Sequence, residues 1–161
     1  MAGIKIANSI RIALVDDADF EFLNRYKWWL STHKRKSGRV YFYAFTEING
    51  KTVTMGRLLL SAAPRQVVIP LDHDGLNCRR DNLKLVTYSQ KNAHARKRVN
   101  TSSSFKGVSR RGNRYLIALN SGNENHYVGF FKSEKLAARA YDKKATELYG
   151  EFAQLNFPGG L

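Results

Sequence analysis

Cysteine occurs once in the 161 residues, at Cys78. A lone thiol excludes an intramolecular disulfide and any zinc site built on several cysteines. Acids are scarce as well: 13 Asp and Glu face 27 Lys and Arg, which leaves a formal net charge of +14. So large an excess on a short chain points to a polyanionic partner, nucleic acid before an anionic membrane surface. No run approaches the ~20 apolar residues of a spanning helix, and residues 1–9 lack the apolar stretch of a signal peptide. No membrane partner is expected, and the chain reads as intracellular and cytoplasmic. A phosphate-cradling glycine loop and coiled-coil heptads are also missing. The apolar share of 43% still suffices for a packed core.

The positive charge is concentrated. Between Arg79 and Arg114 lie eleven Lys and Arg against one acid, Asp81. Acids gather early (Asp16, Asp17, Asp19, Glu21) and late (Glu134, Asp142, Glu147, Glu151). A basic middle between more neutral parts predicts two folded units joined by a binding segment. The expected division is 1–92, a basic linker over 93–103, and 104–161.

Within the first part, residues 4–15 read as a strand pair, followed by a helix start at Asp16 to Asp19, where acids suit the dipole. Residues 40–48 and 52–60 are apolar runs around Asn49-Gly50, a strong hairpin signal. Trp28 and Trp29 read as core, and Cys78 as a half-buried small residue at a helix start. Residues 88–99 read as a basic helix or extended arm. In the last part, residues 105–111, 114–120 and 125–131 are short β-prone runs separated by turn residues. Residues 133–149 form a helix pattern with Ser133 as N-cap, Gly150 as its stop, and Leu136/Ala137, Ala140/Tyr141, Ala145 and Leu148 as its apolar stripe. The fold class is α+β.

Residues 104–158 resemble an AP2 DNA-binding domain. The resemblance is carried by Phe105-Lys106-Gly107-Val108, Tyr127-Val128-Gly129-Phe130-Phe131, Ala137-Ala138-Arg139-Ala140-Tyr141-Asp142 and Leu155-Asn156-Phe157-Pro158. It implies a three-stranded antiparallel sheet laid in the major groove with one helix behind it. A β-ribbon fits that groove on physical grounds too. Lys106 and Arg111 match basic contact positions of that family, and Tyr127 stands where it often has tryptophan. Arg110 and Arg114 add charge to the same strands. Ser109, Asn113, Ala118 and Asn120 depart from the plant members, so the docking mode carries over and the target sequence does not.

The preceding part resembles HNH homing endonucleases with their ββα-type site. Ala13-Leu14-Val15-Asp16-Asp17, Tyr26-Lys27-Trp28-Trp29, Met55-Gly56-Arg57-Leu58 and Asp74-Gly75-Leu76-Asn77-Cys78-Arg79-Arg80-Asp81-Asn82-Leu83 carry that resemblance. Such enzymes use a histidine to activate water and an Asp and Asn to hold one Mg²⁺-like ion. Two placements are open. In one, Asp72 and His73 are the catalytic pair, with Asp72 and Asn92 on the metal and His73 as base. In the other, which needs no gap, Ile69 and Pro70 occupy the Asp and His slots. In both, Gly56 replaces the usual His and Lys91 stands where the metal-binding Asn is expected.

The resulting expectation is a double-stranded DNA-binding protein derived from an HNH nuclease and impaired in catalysis, needing no cofactor. Arg79, Arg80, Lys84, Lys91, Arg96, Lys97 and Arg98 would line its basic groove. The alternatives are an active, Mg²⁺-dependent endonuclease or nickase, and an interaction protein that uses the dead scaffold to bind another protein. His33, His94 and His126 are too isolated in spacing for metal ligation and read as surface or DNA-facing.

Overall fold

The computed structural model describes residues 1–35, 38–122 and 124–159. The chain is α+β, with four small antiparallel sheets and four α-helices among the described residues. It divides into two compact units, Met1–Val86 and Thr87–Leu161.

In the first unit β1 (Ala2–Lys5) pairs with β2 (Ile12–Val15), and α1 (Asp17–Asn24) follows directly. β3 (Trp29–Lys34), β4 (Val40–Ile48) and β5 (Lys51–Thr54) form a three-stranded meander. Its second turn uses Asn49 (φ 51°) and Gly50 (φ 71°), the two left-handed residues that a tight hairpin demands. The run 52–60, read as one strand, breaks after β5 into a short helix, α2 (Met55–Leu59). Its apolar residues serve helical burial: Met55 and Leu59, one turn apart, both face the core. β6 (Val67–Pro70) and β7 (Leu83–Val86) close the unit as a two-stranded ribbon. The core gathers Ile4, Val15, Leu23, Trp28, Ala44, Met55, Leu76 and Leu83. Cys78 belongs to it at 2% exposure, more deeply placed than a half-buried residue; burial, with Asp74 and Asp72 nearby, pushes its thiol up to about 12, so it is inert as a nucleophile.

The second unit begins with α3 (Tyr88–His94), opened by a capping box between Thr87 and Gln90. Ala93 of α3 packs into the second core. Then come β8 (Val108–Arg111), β9 (Arg114–Ser121) and β10 (Glu124–Phe131), ordered β10-β9-β8, and α4 (Glu134–Tyr149) lies across one face. The buried stripe of α4 is Ala137, Ala138, Tyr141, Ala145 and Tyr149, whereas Leu136 is 58% exposed. Alanines at the contact let the helix lie close to Val108, Ile117 and Leu119. Ser133 sits at the N-cap without a side-chain capping bond; Glu134 instead accepts from the Ser103 hydroxyl and the Ser104 N–H, which holds its carboxyl below the ordinary value.

Asp142 of α4 is 3% exposed and faces backbone rather than a cation. Its oxygens accept from Asn156 N–H (2.8 Å), Asn156 Nδ2 (3.0 Å) and Phe157 N–H (2.9 Å). Asn156 in turn brackets Lys106, accepting its N–H at 2.7 Å and donating to its carbonyl at 3.1 Å. One carboxylate thus ties the helix, the C-terminal tail and the lead into β8. Beside it Gly107 (φ 74°) lies against the Tyr141 ring so closely that a Cβ would overlap it.

Asp142→Ala strands these donors in an apolar setting, and we expect a loss of roughly 2–4 kcal/mol in the second unit. Chemical denaturation followed by circular dichroism measures it; an unchanged midpoint would show that the clamp is idle.

Candidate nucleic-acid interface

Because α4 covers one face of the β8–β10 sheet, the other is left to solvent. Register assigns the residues. Ser109 and Arg111 of β8 face Leu116 and Arg114 of β9, and Ala118 and Asn120 continue that face. From β10, Asn125, Tyr127 and Phe130 join it opposite Asn120, Ala118 and Leu116. Tyr127 and Phe130 are three apart, which in a regular strand would put them on opposite sides. The register slips between Tyr127 and Gly129, so Val128 is a bulged residue and both rings emerge together, 64% and 48% exposed and 6.3 Å apart. The face therefore carries two cations at one end, an aromatic and aliphatic middle, and two amides at the other end.

Of the residues expected at DNA, Arg111, Arg114 and Tyr127 lie on this face and are exposed. Arg110 alternates to the opposite side of β8, with its Nε donating to the Gly112 carbonyl at 3.1 Å. Lys106 is turned inward: its ammonium donates to the carbonyls of Asn92, Ala93 and Ala95 at the C-terminal end of α3. Burial pushes it down to about 8. There it completes the last turn of α3, whose carbonyls have no helical partner. Arg96, Lys97 and Arg98 follow α3 and line an open groove of about 860 Å³ with Tyr88, Lys106 and Ala118. Lys97 bridges the Arg98 carbonyl and the Thr101 hydroxyl at 2.9 and 2.7 Å.

In the first unit the long β6–β7 connection is built on three polar side chains. Asp72 accepts from Asp74 N–H (2.8 Å), Asn77 Nδ2 (2.7 Å) and Asn82 Nδ2 (3.1 Å). Asn82 also donates to the Asn77 carbonyl at 2.8 Å. The loop docks on β2 through Leu14 N–H to the Leu76 carbonyl and Cys78 N–H to the Leu14 carbonyl, both 2.8 Å. His73 is half-buried in the turn after β6 with φ 66°. Arg80 is held by Asp19 through two bonds of 2.8 and 2.7 Å, and its N–H by Asp16 at 2.9 Å. The acids read as helix-dipole partners are thus loop anchors as well. Arg79 reaches Asn77 at 3.1 Å, and Lys84 sits half-buried opposite Ile69. Sequence reasoning assigned no part to Asn77 and Asn82; their spacing from Asp72 carries no periodic signal.

Around the expected nuclease centre, Ile69 is buried in β6 and Pro70 ends that strand. Gly56 of α2 is buried, and a Cβ there would meet Val68 at 3.2 Å and Leu83 at 3.3 Å. Asn92 and Lys91 are exposed on α3 in the second unit, with Lys91 lying 5.4 Å over the Tyr88 ring. Among the described residues no group of three His, Cys, Asp or Glu side chains gathers as a metal site.

The chain is similar to an uncharacterized HNH endonuclease of Acanthamoeba polyphaga mimivirus, 28% identical over 146 residues that span 89% of this chain and 74% of that protein. No family model matches the chain, and no solved structure does. Among the described residues, no helix is long and apolar enough to cross a membrane.

Burial raises the Asp72 carboxyl, but the hydrogen bonds from Asp74, Asn77 and Asn82 outweigh it and hold the group below its ordinary value. A carboxyl depressed in the folded state adds stability above its unfolded value, near 3.9, that is lost as pH falls through the folded one. Asp72→Asn should therefore lower stability near neutrality and flatten its decline below about pH 4. Thermal unfolding across pH reads this; parallel acid limbs would contradict it.

Proposed function

We propose that this is a double-stranded DNA-binding protein on an HNH-nuclease type of scaffold whose cutting chemistry is gone. The two units serve as a nuclease-derived N-terminal part and an AP2-like C-terminal reader. The observation that carries the reading is the bare outer face of the β8–β10 sheet. It presents Arg111 and Arg114 at one end and exposed Tyr127 further along the same face, in a chain of net charge +14. Cations at one end can neutralise phosphates while the middle of the strands reaches base edges. Arg96 and Arg98, both exposed, extend the charge toward the backbone.

Loss of catalysis is supported by what fills the expected positions. Val68 and Leu83 crowd the position of a side chain at Gly56, which would have to push them back by a few tenths of an ångström. The two oxygens of Asp72 accept three bonds from their own loop, and among the described residues no group of three His, Cys, Asp or Glu side chains gathers as a metal site. Such donors do not fit a Mg²⁺-type site, so no hydrolytic step is assigned to it. The relative's name favours the second reading, a metal-dependent endonuclease, which the same preparation tests.

Duplex binding should weaken steeply with salt, and the double variant Arg111→Ala/Arg114→Ala should reduce the salt slope by about two. Fluorescence anisotropy with a labelled duplex measures both; an unaltered slope removes the sheet from the interface. Supercoiled plasmid incubated with Mg²⁺ or Mn²⁺ should stay intact. Nicking that His73→Ala abolishes would instead establish the endonuclease.

A further inference from the structure

The outer face of the β3–β5 sheet in the first unit is aromatic, and no part of the proposed function uses it. Register places Trp29 opposite Phe45, Ser31 opposite Tyr43 and His33 opposite Tyr41, all on one side. The core lies on the other side, where Ala44 is buried and Leu30 and Phe42 pack. Trp28 and Trp29 are adjacent and part company: Trp28 is 1% exposed, with its indole N–H on the Leu23 carbonyl at 2.8 Å, and Trp29 is 37% exposed. The outward rings are partnered by cations. Lys27 Nζ lies 4.7 Å from the Trp29 ring centre and the Arg35 guanidinium 5.6 Å from that of Tyr41. His33 meets Tyr43 edge-on at 5.9 Å. Lys27, His33 and Arg35 are exposed, and Glu47, beyond Phe45, adds an acid to this face. Gly75 fixes the Tyr43 ring from the edge, since a Cβ there would overlap that ring and the Phe42 carbonyl.

We infer that this face binds single-stranded DNA by stacking its bases on Trp29, Tyr41, Tyr43 and Phe45, with Lys27 and Arg35 meeting the phosphates. Trp29 is exposed and Tyr41, Tyr43 and Phe45 are half-buried; partly open rings with cations beside them supply both terms of such binding. The spacing selects a single strand. Rings at alternate positions of β4 stand about 6.6–6.8 Å apart, close to twice the ~3.4 Å rise between stacked bases in a duplex. Bases reaching successive rings must separate from one another, which an unpaired strand does freely and a duplex resists. Every base has a π-face, so the face is sequence-tolerant.

The test titrates full-length protein with labelled oligothymidylate and, separately, with a duplex. Trp29 emission should be quenched by the oligothymidylate, and Trp29→Leu should abolish the quenching because Trp28 is enclosed. Trp29→Leu and Tyr41→Leu should each weaken oligothymidylate binding about tenfold while leaving duplex binding within about twofold. Lys27→Gln/Arg35→Gln alters two exposed side chains and leaves the rings in place; it should lower affinity for the single strand and reduce its salt slope by about 1.4. Arg111→Ala/Arg114→Ala should spare the single strand, so this face and the second-unit sheet fail separately. Single-strand affinity unchanged in the ring and charge variants, or lost only in the Arg111/Arg114 variant, would overturn the inference.

Discussion

A carboxylate turned onto backbone N–H groups is the interaction on which the second unit rests. Asp142 gathers the tail through Asn156 and Phe157, and Asn156 passes that order to the strand leading into β8. The first unit uses acids similarly: Asp72 shapes the β6–β7 loop and Asp19 takes Arg80. Few acids are present, and those placed in loops and caps are spent on internal donors. Among the described residues few carboxylates are then left for the cations on the outer faces, and the charge excess is presented to solvent as an attractive field for polyanions.

The same economy explains how the β8–β10 sheet comes to have one free face. A single helix lined with alanine seals Val108, Ile117 and Leu119, and the tail closes the remaining edge of the core through Phe157 and Leu155. Nothing in this arrangement needs the second face, which is available to a ligand without any rearrangement of the core.

Much of the second unit was legible because its patterns are local. Strand alternation and the i, i+4 alanine spacing place β8, β9, β10 and α4 within a few residues of their observed limits. The first unit was harder to read. Met55–Leu59 is apolar in either conformation, and only tertiary packing makes it helical. Adjacent tryptophans read as core, although neighbours entering a strand must point apart. The roles of Lys106 and Arg80 were hidden for another reason. A lysine or arginine in a basic stretch looks like a phosphate contact until the structure shows the carbonyls of α3 and the carboxylate of Asp19 as partners. Asp72, Asn77 and Asn82 form a network whose members are joined by loop closure, which spacing alone does not reveal.

The bulge at Val128 couples the two sides of one strand. Because the extra residue brings Tyr127 and Phe130 to the outside, it also returns Phe131 to the inside, opposite Tyr115. Were the same residues paired without the bulge, strict alternation would exchange those roles, turning Phe131 outward and Phe130 inward. The pair of outward rings is therefore a matter of backbone irregularity as much as of residue type: the bulged residue, Val128, itself packs against the second core, so one extra position serves the interior and the outer face together.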